Sequence, residues 1–369
     1  MRTLRDIPQL EGIPVLLRTS QAVNEVRVRE ALPTIEFLRS RHAKVILATH
    51  VSGKGTESAL PMYEALKPFV PGIRFCGVSV GEEAREAARD LPPGGILMLE
   101  NLRRNPGEEK NDPEFTKELA SLADVFVQDS FDTCHREHAS IVGVPTLLPS
   151  YAGLTLLREV AELTKALKPA RPALAVIGGA KFSTKEPVLQ ALLRSYDHVF
   201  VGGALANDFL MAKGFSVGAS LVSSEGQQEI RELLKNPRLI TPVDVVVAAP
   251  HEKRAAGRTC SANAVQDGEM ILDAGAHTAA ALVELVNSAK TVLWNGPLGL
   301  FEDGFADATR VLARAIVGSN AYSILGGGDT IAAVEDLGIL GDFSFVSTGG
   351  GAMLDFLAYG TLPGIKVLG

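Results

Sequence analysis

The chain has 369 residues, 46% hydrophobic and 21% charged, enough apolar material for about two domains of ordinary size. Its 43 acidic against 36 basic residues give a net charge of −7, which argues against a general nucleic-acid binder but leaves room for a local basic pocket. The three cysteines, Cys76, Cys134 and Cys260, show no CxxC or Cys/His zinc spacing, so neither a disulfide framework nor a structural metal is supported. The first residues carry no continuous apolar run of the signal-peptide type, and no stretch reaches the roughly eighteen apolar residues of a membrane span. A cytoplasmic chain with no membrane partner is expected.

Short runs rich in β-branched residues recur along the chain. Val15–Leu17, Val45–Ala48, Ile96–Leu99 and Val125–Val127 lie in the first half. Leu174–Ile177, Val199–Val201, Val243–Ala248, Val292–Trp294, Tyr322–Leu325 and Phe343–Val346 lie in the second. All are predicted as buried strands of parallel sheet. Between them, Val28–Arg39, Glu82–Arg89, Asp112–Ala123, Lys185–Arg194 and Ala306–Ile316 have helical character. Such alternation predicts an α/β, doubly wound architecture. The runs are too many for one ordinary open sheet, so two domains are expected. The boundary falls near Pro149–Gly153, and Leu154–Lys168 reads as a connecting helix.

In open α/β sheets ligands bind beyond the carboxyl ends of the strands, so the residues after each run carry the chemistry. In the first half these are cations and imidazoles: Arg18, His50, Arg103 and Arg104, then His135, Arg136 and His138 with Asp129, and Arg27 at the start of the next helix. Arginine forks match carboxylate and phosphate oxygens, so the group predicts an anion pocket. His135 and His138 lack a visible third ligand and read as structural histidines rather than a metal site.

In the second half the same positions carry glycines: Gly178-Gly179, Gly202-Gly203, Gly326-Gly327-Gly328 and Gly349-Gly350-Gly351, each leading into a helical stretch. Glycine lets backbone N–H groups turn toward a ligand, and the following helix N-terminus favours an anion, so phosphate is the expected ligand. Lys181 and Lys185 stand beside the first pair, and Asp329 after the third group suits a Mg²⁺ ion that takes few carboxylates. Gly53-Lys54-Gly55-Thr56 lacks the spacing of a Walker A loop, and no GxGxxG follows a predicted strand. A nicotinamide dehydrogenase is therefore disfavoured. The two halves together predict phosphoryl transfer, with an acid held by Arg and His and a nucleotide polyphosphate held by glycine turns, Lys and Mg²⁺.

Several segments resemble the phosphoglycerate kinase family, in family order. They are Leu99-Glu-Asn-Leu-Arg103, Asn105–Phe115, Gly178-Gly-Ala-Lys181, Pro242-Val-Asp244, Trp294-Asn-Gly-Pro297, Gly326-Gly-Gly-Asp-Thr330 and Ser347-Thr-Gly-Gly-Gly-Ala352. The resemblance implies two Rossmann-like, doubly wound parallel-sheet lobes joined by a helix hinge. It implies an acid (phosphoglycerate) lobe over 1–152, a connecting helix over 153–168, a nucleotide lobe over 169–354, and a tail over 355–369 packing back on the first lobe. It further implies a monomer, with 3-phosphoglycerate in the first lobe and ATP or ADP with Mg²⁺ in the second. Arg27 would bridge acid and transferring phosphoryl group, and His50, Arg103, Arg136 and the position of Ser20 would contact the acid. Lys181 would follow the transferring group, Lys185 the nucleotide phosphates, and Gly350 and Gly351 would offer N–H groups to the transition state. Gly179, Gly203, Leu272, Asn295 and Pro297 would line the nucleotide pocket, with Glu302 at the ribose, Gly328 and Thr330 at the phosphates, and Asp329 on the metal.

The departures from the family pattern concentrate in the first lobe. The motif Arg-x-Asp-(Phe/Leu)-Asn reads Arg18-Thr19-Ser20-Gln21-Ala22, and His-Leu-Gly-Arg-Pro reads His50-Val51-Ser52-Gly53-Lys54. The family's Asp-Ala-Phe-Gly-Thr reads Asp129-Ser130-Phe131-Asp132-Thr133. In the second lobe Thr184 replaces an Asp, Asp208 a Thr and Ile271 a Gly. The first-lobe changes leave a second reading open: a divergent paralogue with another acid substrate, or a weakly catalytic nucleotide-binding regulator.

Overall fold

A computed structural model describes residues 1–20, 25–51, 53, 55–223, 225–250 and 257–369, the side chains of 25–27 excepted. The chain divides into two compact units, Met1–Ala161 with Thr361–Gly369, and Glu162–Gly360.

The first unit is built on six parallel strands: β1 (Pro14–Arg18), β2 (Lys44–Ala48), β3 (Arg74–Phe75), β4 (Ile96–Met98), β5 (Val125–Gln128) and β6 (Ser150–Ala152). Their order is β3-β4-β2-β1-β5-β6, with β1 paired to both β2 and β5. The helices are α1 (Glu25–Ser40), α2 (Leu60–Leu66), α3 (Glu82–Arg89), α4 (Pro106–Glu109), α5 (Pro113–Ala120) and the start of α6 (Leu154–Leu167). Strand side chains alternate between faces, so β1 serves two cores. Val15 and Leu17 pack with Ile35 and Leu38 of α1 and with Met62 and Leu66 of α2. Leu16 packs with Ala84 and Ala88 of α3 and with Phe115 and Leu119 of α5. Helices thus cover both faces, which is why the strands read as continuous apolar runs. Helix α5 begins where Asp112 accepts the N–H groups of Glu114 and Phe115, with Pro113 at its first position.

The second unit repeats the plan. Its strands are β7 (Ala173–Ile177), β8 (His198–Val201), β9 (Leu239–Ile240), β10 (Asp244–Ala248), β11 (Arg258–Ser261), β12 (Met270–Ala274), β13 (Thr291–Asn295), β14 (Tyr322–Gly326) and β15 (Phe345–Ser347). Six form a parallel sheet in the order β15-β14-β13-β7-β8-β9. The helices are α7 (Glu186–Ser195), α8 (Leu205–Ala212), α9 (Gln227–Leu234), α10 (Ala276–Ser288), α11 (Asp307–Gly318), α12 (Gly328–Glu335) and α13 (Gly351–Tyr359). After α13 the chain returns to the first unit as α14 (Pro363–Lys366), where the Gly364 N–H donates to the carbonyl of Cys134 at 2.8 Å.

One strand expectation is corrected. Of the expected run Val243–Ala248, Asp244–Ala248 forms β10, but in a separate antiparallel sheet of order β11-β10-β12. The stretch from Ala248 to Arg258 is shorter than the roughly twelve residues that a parallel crossover needs. Val245 and Val247 cover a local core with Leu210, Val217 and Val265 instead of joining the main sheet. The last strand also begins later than expected, at Phe345, because Phe343 packs into the core ahead of it.

Helix α6 starts on a carboxylate at the end of β5. Asp129 Oδ1 accepts the N–H groups of Thr155 at 2.8 Å and Leu156 at 3.2 Å. Burial pushes the Asp129 carboxyl up to about 7, against the hydrogen bonds from Thr34, Leu156 and Thr155. A folded pKa above the unfolded one favours the fold below the unfolded value and loses that contribution as pH rises through the folded pKa. Asp129→Ala will lower stability by about 1–2 kcal/mol through loss of the cap. Asp129→Asn keeps an accepting oxygen and will gain on wild type as pH rises from about 4 to about 7. Thermal unfolding across that range checks both, and parallel curves for Asp129→Asn and wild type would refute the second. No helix among the described residues is long and apolar enough to cross a membrane.

Candidate active site

In the first unit the strand ends gather cations around one buried arginine. Arg18 closes β1 and is 1% exposed. Its Nη2 donates to His50 Nδ1 at 3.0 Å, beyond the end of β2, and its Nε donates to Ser140 Oγ at 2.9 Å. Ser140 passes the chain on, its hydroxyl and N–H reaching Glu108 Oε1 and Oε2 at 2.6 and 3.0 Å. Burial raises the Glu108 carboxyl and lowers the Arg18 guanidinium from their ordinary values, while each one's charge opposes the shift of the other.

Arg103 lies in the single helical turn Leu102–Arg104 after β4, which Asn101 caps by accepting the Arg103 N–H at 3.1 Å. Its guanidinium lies 3.2 Å from Glu109. Arg136 follows the turn Phe131–Thr133 and is exposed. His138 is depressed to about 4, by burial first and then by Arg103, with Arg18 and Arg136 adding to the effect. These arginines therefore share one neighbourhood, and His138 is neutral at pH 7. Ser20 donates to Asp132 Oδ1 at 2.7 Å, and Ser130 donates to the same oxygen at 2.6 Å. Arg27 falls in the first turn of α1, but its side chain lies outside the described residues, as do Gln21, Ala22, Ser52 and Lys54. Reading the sequence missed Glu108 and Ser140, whose only signal was the acidic pair Glu108-Glu109 after a helix-starting Pro106.

In the second unit a mostly apolar cavity opens at the strand ends. Of the expected nucleotide residues it is lined by Gly179, Gly203, Leu272, Pro297, Glu302 and Asp329. Asn207, Leu221 and Leu298 also line it and were not anticipated. Lys181 is exposed and borders an adjoining cavity with Ser183, Leu221 and Ser223. Lys185 precedes α7 and donates to Asn295 Oδ1 at 3.2 Å, at the end of β13. Thr330 is fully buried and its hydroxyl accepts the Gly296 N–H at 2.7 Å, so it braces the turn after β13. Gly328 opens α12 and is exposed, as is Asp329. Gly350 has φ +52° immediately before α13, which begins at Gly351. Asp208 accepts the Ser223 N–H at 2.6 Å, so this departure from the family pattern ties α8 to the segment bordering both cavities.

Among the described residues no cluster of three or more His, Cys, Asp or Glu is placed to hold a metal ion. Asp329 lines the cavity together with Asp273 and Glu302, and its charge holds up the pKa of Lys185. A Mg²⁺ ion that keeps waters and takes phosphate oxygens fits one such carboxylate.

Burial depresses Lys185 to about 8, with Asp329 opposing the shift. The lysine is charged below that pH and neutral above it. ADP affinity will therefore hold between pH about 7 and about 8 and fall above it, levelling off at the affinity of a site without the lysine charge. Calorimetric titrations with ADP over that range check this. Lys185→Met will bind more weakly with a flat profile, and an alkaline fall retained in that variant would assign the titration to another group.

A unit with arginines at its strand ends and a unit with glycine turns at the same positions define the class as an α/β phosphotransferase. Comparison with known proteins gives the particular family. The phosphoglycerate kinase family model matches residues 13–359. The phosphoglycerate kinase of Moorella thermoacetica is 43% identical, over 96% of this chain and 93% of its own length. That of Thermus thermophilus is 43% identical over the full length of both. Among solved structures, phosphoglycerate kinase from Coxiella burnetii superposes with a TM-score of 0.86 at 36% identity, covering 99% of this chain and 98% of that one. The Pyrococcus horikoshii enzyme gives 0.88 at 30% identity, covering 100% and 98%. The chain belongs to the phosphoglycerate kinase family.

Proposed function

We propose that the protein catalyses reversible phosphoryl transfer between ATP or ADP and the carboxylate of 3-phosphoglycerate, as a cytoplasmic monomer acting in glycolysis. The observation that carries this reading is the pairing of an arginine- and histidine-lined site in one unit with a glycine-turned cavity in the other. Both lie at strand carboxyl ends, in a chain of this family.

The acid's carboxylate is itself the nucleophile, so no general base is required. His50, Arg103 and Arg136, with Ser20 at their edge, would bind the acid, and Arg27 would reach the transferring group. Gly179, Gly203, Leu272 and Pro297 would seat the nucleoside, with Glu302 at its ribose. Asn295 would hold Lys185 toward the phosphates, and Gly328 and Thr330 would shape the turns around them. Lys181 and the N–H groups of Gly350 and Gly351 would meet charge that develops on the transferring group. Mg²⁺, held by Asp329 and phosphate oxygens, would neutralise charge on the nucleotide.

The test is a coupled assay with ATP, Mg²⁺ and 3-phosphoglycerate, beside a panel of small carboxylic acids. Turnover fastest with 3-phosphoglycerate is expected. ADP binding by calorimetry with no acid binding and no turnover would overturn the reading in favour of a nucleotide-binding paralogue.

A further inference from the structure

The donors and acceptors around Arg18 are assignable without ambiguity, because a guanidinium has only N–H groups and does not deprotonate in proteins. Nη2 therefore donates to His50, and His50 Nδ1 accepts with its lone pair. A ring whose Nδ1 accepts is neutral and carries its proton on Nε2. We propose that Arg18 is a positioning residue of the acid site, holding His50 as the neutral Nε2–H tautomer so that the ring presents one fixed donor to the anionic acid. The proposal rests on the acid-pocket reading for its consequence, but not for the state of the ring.

The surrounding network makes Arg18 rigid. Nη1 donates to the carbonyl of Thr19, and Nε donates to Ser140 Oγ. The proton of Ser140 Oγ goes to Glu108 Oε1, so this hydroxyl can only accept from Arg18. Glu108 is fully buried and starts the chain, which runs from α4 through Ser140 to the ends of β1 and β2. His50 is 6% exposed, so few ring orientations are open to it. A donor fixed this way suits anionic oxygens and rejects N–H groups at the same place. Arg18 then acts through His50 rather than on the acid.

The test uses the full chain labelled with ¹⁵N and read by long-range ¹H–¹⁵N correlation, with the His50 signals assigned by their loss in His50→Gln. An unprotonated Nδ1 and a protonated Nε2 at neutral pH are expected. Arg18→Met will give a mixture of tautomers and Arg18→Lys, which keeps a donor, will restore one. Should Arg18→Met not fold, Arg18→Gln decides, since its shorter amide stays on the Ser140 side and carries no donor out to His50. That variant will also show mixed tautomers. The KM for the acid will rise about three- to tenfold, as for loss of one neutral hydrogen bond, with kcat moving less. A protonated Nδ1 in wild type, or an unchanged tautomer in the deciding variant, overturns the proposal. The expected spectrum in a protein that does not turn over phosphoglycerate would instead overturn the functional reading alone.

Discussion

Gly296→Ala will destabilise the second unit by about 2–6 kcal/mol and abolish measurable ADP binding. Gly296 has φ +100°, a region that costs a side chain about 1–3 kcal/mol. An added Cβ would also stand 2.6 Å from the Cα of Gly178 and 2.7 Å from its oxygen. Both are backbone atoms, so no rotamer change relieves the overlap, and overpacking of this kind adds about 1–3 kcal/mol. The two glycines let the ends of β7 and β13 touch, where the Gly178 N–H donates to the Asn295 carbonyl at 2.7 Å. Trp294 Nε1 and the Gly296 carbonyl close the same turn at 2.8 Å. Displacing it moves Pro297 and Gly179, both on the cavity wall. Gly318→Ala is the control, because a Cβ at Gly318, the last residue of α11, meets nothing within 4 Å. Thermal unfolding and ADP calorimetry on both variants check the argument, which fails if the two behave alike.

Such glycines explain why the second unit was legible in the sequence. A positive φ or a backbone approach demands Gly, so the strand-end turns announced themselves as pairs and triplets. A cavity opens beside two of those turns, with Gly179 and Gly203 on its wall, and the residues added by the structure are mainly apolar ones such as Leu221 and Leu298, which look like any core residue. Strand order was less legible. Edge strands β3 and β9 have two residues each, too few to show a period. The run Val243–Ala248 has the composition of a buried parallel strand. Its antiparallel partner, Arg258–Ser261, is polar and largely exposed, so nothing in the apolar pattern marked the pair. The first unit shows a different limit. Arg18 reads as one more strand-end cation, yet the fold buries it and commits its donors to His50, Ser140 and Thr19. Burial of an arginine follows from its neighbours, not from its place in a motif.

Ser20→Asp will weaken binding of the acid by about ten- to hundredfold while Asp132 is present, and Asp132→Gly in the same chain will reverse that loss. Against the family pattern, position 20 has lost a carboxylate and position 132 has gained one. Along the chain these look like unrelated changes, but the fold puts the two side chains 2.7 Å apart. Ser20 donates to the Asp132 carboxylate, a charge-assisted bond whose loss costs about 1.5–3 kcal/mol. An Asp at 20 replaces that donor with a second negative group, and like charges in one site cannot both ionise freely. The resulting strain falls among the hydroxyls of Ser130 and Thr133, which share the same network. Removing Asp132 takes away the repulsion, so the double variant will bind the acid more tightly than Ser20→Asp alone. The four proteins of the cycle, compared by KM for the acid and by thermal unfolding, give the coupling directly. Additive effects, or tighter acid binding by Ser20→Asp with Asp132 in place, would mean that the carboxylate at 132 does not occupy the ground vacated at 20.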